Sequence, residues 1–388
     1  MVYIITEKKE FNFIKQGYIV AVIPIGLSPY FLQCLSYKYD APYMALAILG
    51  GIMPLMFIEY GYKIYIASAF IGNMIMFTTY QADSGVFPIL VVMLGFKWWN
   101  CGKKIKDIGK FILYSFCGYV SAFLVFRIFI MKPIDSYVSS SVASFGQIIT
   151  NYKKYFDYIY TDLKKWWIML IIFIIFGFIY TSVKASKRKL WQSLFMTILV
   201  TCVCMLLTFG LYPALSLPSF DPRGMNGFGV MVSVFAVMAL NNKKSYFLRM
   251  VCFILSWSFC VFGFTYGNAL AEQKRYTDFR IQEVVNDLGA LDIVNSGRKI
   301  TLQLSGSIGK SSVINHMPQS YQILNRLLPE SFAGGMYWNG CYFYDYFGLK
   351  NIERNDEIDL TTYNLPVLSN TMYHTIKGDE NYILILLK

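Results

Sequence analysis

The sequence is poor in charge. Only 15% of its 388 residues are Asp, Glu, Lys or Arg, while 56% are hydrophobic, and the mean hydropathy is +0.44. No soluble domain of this length needs so much apolar surface, so the composition excludes a water-soluble globular enzyme and implies a polytopic membrane protein. Histidine is nearly absent. His316 and His374 have no acidic or cysteine partner at ligand spacing, so no metal site and no catalytic dyad is expected from them. The eight cysteines lack paired C-x-x-C spacing, lie mostly in or beside apolar runs, and read as small hydrophobes. A nucleotide loop is missing too. Residues 305–311, Ser-Gly-Ser-Ile-Gly-Lys-Ser, carry Leu304 where a Walker motif requires its first glycine, so a plain turn after a strand is expected and no cofactor is called for. Residues 2–16 mix charge with aromatics and have no small-residue cleavage site, which excludes a removable signal peptide.

What is present is a series of apolar runs separated by short polar turns. The expected spans cover residues 18–35, 43–58, 64–77, 85–96, 111–131, 167–183, 190–211, 228–240 and 247–266, nine in all. The fourth is short enough to be re-entrant. Residues 1–17 are basic and amphipathic, a surface segment on the cytoplasmic side, followed by a transmembrane domain over 18–266. The 132–166 connection ends in an aromatic amphipathic stretch, 152–166, expected to lie in the interface.

The net charge of +12 falls on alternate turns. Lys63, the five lysines of 97–110, the four cations of 184–189, and Lys243 with Lys244 share one side if the N-terminus is cytoplasmic. The opposite short loops hold only Lys38 and Arg223. This positive-inside bias assigns the excess charge to cytoplasmic loops, not to nucleic-acid binding, and puts Asp40, Asp83, Asp221 and the C-terminus outside, which in a bacterium is the periplasm. From residue 267 the composition becomes soluble. A helix at 274–288, strands at 300–305, 341–347 and 382–387 and a helix at 321–328 suggest a small α/β periplasmic domain over 267–388.

Several residues are candidates for chemistry. Asp40, at the tip of the first helical hairpin, either faces a substrate groove or caps the helix that begins at Ala41-Pro42. Arg127, near the outer end of its span, is either a functional intramembrane cation or snorkels to the headgroups. In the loop Ser219-Phe-Asp-Pro-Arg-Gly-Met-Asn-Gly227, proline and glycine fix the backbone and Arg223 offers a planar fork for a phosphate; the plainer reading is an Asp221–Arg223 turn of little weight. Glycosyl transfer needs a carboxylate to deprotonate the acceptor hydroxyl, and Asp40, Asp83 and Asp221 stand near outer span ends, with Asp135, Asp157 and Asp162 in the 132–166 connection.

Residues 23–47, Ile-Pro-Ile-Gly-Leu-Ser-Pro-Tyr-Phe-Leu-Gln-Cys-Leu-Ser-Tyr-Lys-Tyr-Asp-Ala-Pro-Tyr-Met-Ala-Leu-Ala, resemble the serotype-converting O-antigen glucosyltransferases of the GtrII type. Tyr80-Gln81-Ala82 is similar to a Tyr-Gln-Ala element there, and 220–228, with Arg223, resembles their later outer-loop arginine motif. The resemblance spans roughly residues 15–265. It implies a GT-C-like membrane fold in the bacterial inner membrane. It implies glucose transfer from undecaprenyl-phosphate-glucose to O-antigen repeat units on the periplasmic face, with a donor synthase and a small flippase as partners. Asp40 or Asp83 would then contact acceptor or sugar, and Arg223, with Asp221, Gln81 and Arg127, would bind the substrate or its lipid phosphate. Such proteins usually begin with an earlier span and an outer loop carrying an acidic pair. This sequence has no Asp-Asp, and its first span matches an internal part of the family, the pattern expected of an N-terminally truncated frame lacking its catalytic base. Two other readings remain open from the residues: a polysaccharide flippase or transporter, which predicts paired ionisable residues buried mid-span, and an O-antigen polymerase, which predicts a large Arg-rich outer loop.

Overall fold

In the computed structural model, residues 1–6, 17–131, 141–241, 245–293, 297–317, 320–328, 349, 351–353 and 358–388 are described. They form two compact units. One comprises residues 1–265 with 321–323, the other 266–320 with 324–388.

The first unit is helical. Among the described residues seven helices are long and apolar enough to cross a membrane, and the bent pair Tyr18–Leu27 and Pro29–Ser36 brings the number to eight. The third expected span, 64–77, forms an 18-residue helix, Tyr62–Thr79, but it does not reach the apolarity of the others, because Lys63 and Asn73 lower its mean hydropathy. The bend in the first span, 54°, falls where Ser28 leaves helical geometry, caps the helix Pro29–Ser36 by accepting from the Phe31 amide, and is followed by Pro29 at the first helical position. The short fourth run is extended at both ends, by a 3-10 turn Gln81–Gly85 and by the helix Val86–Asn100. It reaches 20 residues and meets the length of a span.

Helix Gly227–Asn241 is the centre of this unit. The segment Pro222–Asn241 is 94% buried, against 28% for Leu190–Leu207 and for Ile105–Ile130. It is apolar on every side (Val230, Val234, Phe235, Val237, Ala239), as a helix enclosed by other helices must be. Small residues let its neighbours approach. A Cβ on Gly227 would overlap the Thr208 carbonyl oxygen, and one on Gly229 that of Pro24. A similar approach seats the 81–85 turn on the end of Leu190–Leu207, where a Cβ on Gly85 would overlap the Leu207 carbonyl oxygen. The amphipathic helix of the long connection runs Phe145–Asp162, starting earlier than its aromatic stretch suggests because Ser144 caps it through the Gln147 amide.

The second unit is a five-stranded sheet ordered β2-β1-β5-β4-β3: β1 Ile300–Ser305, β2 Ile352–Glu353, β3 Val367–Asn370, β4 His374–Gly378 and β5 Tyr382–Leu387. β1 runs parallel to β2 and β5, while β5, β4 and β3 are antiparallel. Ile281, Val284 and Leu288, on one stripe of a helix, pack on Ile300, Leu302, Ile376, Ile383 and Ile385. That helix, Tyr246–Ala290, is 45 residues long. The expected break at residue 267 is therefore absent: one glycine among good helix formers such as Ala269, Ala271, Glu272, Gln273 and Lys274 does not stop a helix. The expected helix at 321–328 contracts to Leu324–Leu327. The expected strand at 341–347, and Asp135, lie outside the described residues. His374, for which the sequence offers no partner, is 1% exposed and meets Asp287 Oδ2 at 2.9 Å across 87 residues of chain. It is a packing histidine with a carboxylate partner that only folding supplies.

The approach at residue 85 gives a test. Gly85→Ala is expected to cost about 1–3 kcal/mol through overpacking against fixed backbone and to lower the melting temperature of the detergent-solubilised protein. Ala at Gly109, where added atoms meet nothing, is the control. Equal melting of the two variants would overturn the close packing.

Candidate active site

Three segments distant in sequence meet at one place: the end of the first bent span, the 80–85 turn, and the loop between Leu190–Leu207 and Gly227–Asn241. The loop begins at Gly210, left-handed at φ 56°, which ends the preceding helix. It passes through the 3-10 turn Tyr212–Ala214, and re-enters helix through a second one, Pro222–Met225, with Pro222 at its first position. Asp221 precedes that turn without capping it. Its carboxylate instead accepts from Ser219 Oγ at 3.2 Å and pairs with Arg223 Nη2 at 3.6 Å.

Side chains from elsewhere hold the loop's backbone. From helix Phe145–Asp162, Asn151 Nδ2 donates to the carbonyls of Pro213 and Leu215, each at 3.0 Å, and Tyr155 Oη donates to Ser219 O at 2.7 Å. Tyr155 also lies 4.6 Å from the Phe209 ring and 4.8 Å from that of Phe220. From the 80–85 turn, Ser84 Oγ accepts from the Leu211 amide at 3.0 Å, and the Ser84 carbonyl accepts from Tyr119 Oη at 2.9 Å. From the bent span, Gln33 Oε1 accepts from the Arg223 amide at 2.8 Å. One residue on, Cys34 Sγ meets the Asn226 side-chain amide at 3.3 Å. Four residues beyond Gln33, and so on the same helical face, the Tyr37 ring lies 4.7 Å under the Arg223 guanidinium. Arg223 is thus held at its amide, its carboxylate partner and its flat face, and keeps 20% of its side chain exposed.

Asp83 lies beneath this arrangement. It is fully buried, and neither carboxylate oxygen has a hydrogen-bond partner among the described residues. The amide beside it, that of Asn226, is turned to Cys34. Gln81, two residues away, is exposed. Asp40 is exposed as well. It occupies the position before helix Ala41–Ile52 but makes no side-chain capping bond, so the hydrogen bond expected of a cap is not formed. Arg127 is not brought to the group. It sits exposed in the π-helical turn Phe126–Ile130, with Nη1 3.3 Å from Met131 Sδ. Asp157 lies exposed on helix Phe145–Asp162, and Asp162 is buried at its end. Among the described residues no three His, Cys, Asp or Glu side chains are grouped so as to hold a metal ion.

Gln33, Cys34, Tyr37, Asn226 and Tyr155 have no assigned role in the sequence reading. Gln33 had a signal. A lone amide in an apolar run needs a partner inside the protein. Its partner, 190 residues away, did not.

The family model described as Glucosyl transferase GtrII matches residues 2–235. The chain belongs to that family. The matched region holds all three segments of the site and ends within helix Gly227–Asn241, before the sheet of the second unit. No curated protein and no solved structure matches the chain. Membership in the GtrII family makes it a membrane glycosyltransferase of the O-antigen glucosyltransferase kind.

Gln33 gives the site's first test. Gln33→Leu leaves the Arg223 amide buried without its acceptor, and is expected to cost about 1–3 kcal/mol and to lower glucosyl transfer about tenfold or more. Gln33→Glu, which keeps the acceptor, is expected to retain more activity. Equal rates for all three proteins, measured as hexose incorporated per milligram of membrane protein, would remove the anchoring role.

Proposed function

We propose that the chain transfers glucose from undecaprenyl-phosphate-glucose to O-antigen repeat units on the periplasmic face of the bacterial inner membrane. The observation that carries this reading is Arg223, whose partly exposed guanidinium meets Asp221 and the Tyr37 ring and whose backbone amide is held by Gln33, on a loop whose backbone is fixed by proline, glycine and distant side chains. A lipid-phosphate leaving group needs such a planar, pre-positioned fork. Asp221 keeps the fork oriented until the phosphate displaces it. In the reaction the acceptor oxygen attacks C1 of the glucose, the bond from C1 to the phosphate oxygen breaks with its electron pair going to the phosphate, and the acceptor's proton passes to a carboxylate. Asp40 is the candidate that an acceptor hydroxyl reaches without rearrangement. Asp83 can take this role only if the 80–85 turn lifts. Gln81, exposed at that turn, is a candidate sugar contact, and Arg127, apart from this group, a contact for lipid headgroups. A donor synthase and a flippase supply the lipid-linked sugar.

Mass analysis of lipopolysaccharide from an O-antigen-positive host tests the reaction. Expression with the synthase and flippase is expected to add one hexose per repeat, and omission of the synthase to abolish it. Arg223→Ala is expected to lower incorporation about 100-fold or more, as for loss of one transition-state donor, with Arg223→Lys intermediate because the charge remains without the fork. Unchanged incorporation in Arg223→Ala would remove the phosphate role. Orientation is tested separately by reporters fused after Lys388: alkaline phosphatase is expected to be active and a cytoplasm-restricted fluorescent protein dark, and the reverse would sink the periplasmic assignment.

A further inference from the structure

Arg223 and Asp221 do not stand alone. From them a continuous surface leads onto helix Phe145–Asp162. The Tyr37 ring lies under the Arg223 guanidinium and is 38% exposed. Asp221, with 49% of its side chain exposed, follows. Phe220 comes next in the chain, half-buried, with the Tyr158 ring 5.8 Å from its own and inclined at 47°. Lys154 Nζ lies 5.5 Å from the centre of the same Phe220 ring. One turn of helix separates Lys154 from Tyr158, so both face the loop. Tyr155, between them, points into the loop's interior and fixes the strip to it through Ser219.

The chemistry of this strip is alternating: ring, cation, carboxylate, ring, ring, cation. An acyl chain would favour unbroken apolar surface and would take the Asp221–Arg223 pair and the Lys154 ammonium out of water. A sugar chain has the complementary alternation. Its pyranose rings present apolar C–H faces to aromatic rings, and its equatorial hydroxyls reach carboxylate and ammonium groups at the ring edges. Tyrosine suits such a site because it offers a rigid amphipathic face at little entropic cost. The strip also begins at Arg223, the group to which the donor phosphate is assigned, so a sugar lying along it has one end at the point of transfer.

We propose that Tyr37, Phe220, Tyr158 and Lys154 form the binding site for the acceptor polysaccharide, with Tyr158 as a ring platform for a sugar unit remote from the point of transfer. This rests on the reading of Arg223 as the donor-phosphate ligand. Tyr158 touches acceptor and not donor. Its removal should therefore change acceptor binding alone, whereas a disturbance of the loop would change both substrates.

The experiment uses the full chain in detergent, with undecaprenyl-phosphate-glucose as donor and O-antigen oligosaccharide of the host, released from its lipid by mild acid, as acceptor. Tyr158→Ala is expected to raise the acceptor KM about tenfold, the size of one aromatic contact, with kcat and the donor KM within about twofold of the parent protein. Tyr158→Phe, which keeps the ring, is expected to restore the acceptor KM. Lys154→Ala is expected to raise the acceptor KM less than Tyr158→Ala does. An acceptor KM unchanged in Tyr158→Ala, or a donor KM that rises with it, overturns the proposal while leaving lipid-linked transfer in place. Absence of transfer by the parent protein, with synthase-dependent incorporation also absent in cells, instead overturns the reading on which the proposal rests.

Discussion

Backbone that is not helical is costly at the depth of a membrane, because its amides and carbonyls find no water there. The site is built almost wholly from bends, 3-10 turns and loop, not from regular α-helix: a 54° bend in the first span, a 3-10 turn at 81–85, and a loop from 208 to 226 with two further 3-10 turns. The turn and the loop are made tolerable in the same way. A side chain from another segment supplies the missing partner, as Gln33 does for the Arg223 amide, Ser84 for the Leu211 amide, Tyr119 for the Ser84 carbonyl, and Asn151 and Tyr155 for the carbonyls of Pro213, Leu215 and Ser219. A single bond of this kind contributes only about 1 kcal/mol net, but leaving its partner buried and unpaired costs about 1–3 kcal/mol. The set is therefore strongly coupled. Loss of one member exposes the others.

That coupling is also what presents a charged group at the site. Arg223 could not be held flat on a tyrosine and beside a carboxylate by a free loop, since the entropy of ordering a long side chain offsets most of what an exposed ion pair contributes. Here the order is imposed by the backbone bonds around it. The same helix that staples the loop through Asn151 and Tyr155 carries Tyr158 and Lys154 on its next turn. Anchoring of the loop and the extension of its surface thus arise from one helical face.

Much of the architecture was legible. Apolar runs of spanning length mark most of the helices, since the hydrophobic thickness of a bilayer sets their length, and Ile300–Ser305 and Tyr382–Leu387 read as strands from their alternation or their apolar content. Misreadings have local causes. The helix Tyr246–Ala290 has no breaker where the composition changes, so it runs on unbroken past the point where the two compact units divide. β3 carries no alternation because it is an edge strand with most residues exposed, and β4 hides a histidine whose carboxylate partner is 87 residues away.

By itself the sequence determined which segments are apolar enough to span, which turns are basic, and that Arg223 sits on a loop fixed by proline and glycine. These are properties of composition and of nearest neighbours, and need no knowledge of what packs against what. Only the tertiary structure decided that Asp83 is buried with neither carboxylate oxygen hydrogen-bonded among the described residues, that Arg127 stands apart, and that Gln33 and Tyr37 belong to the same site as Arg223. Each of those facts depends on contacts between residues tens to nearly two hundred positions apart, and such contacts are fixed by helix packing, which single-chain patterns do not encode.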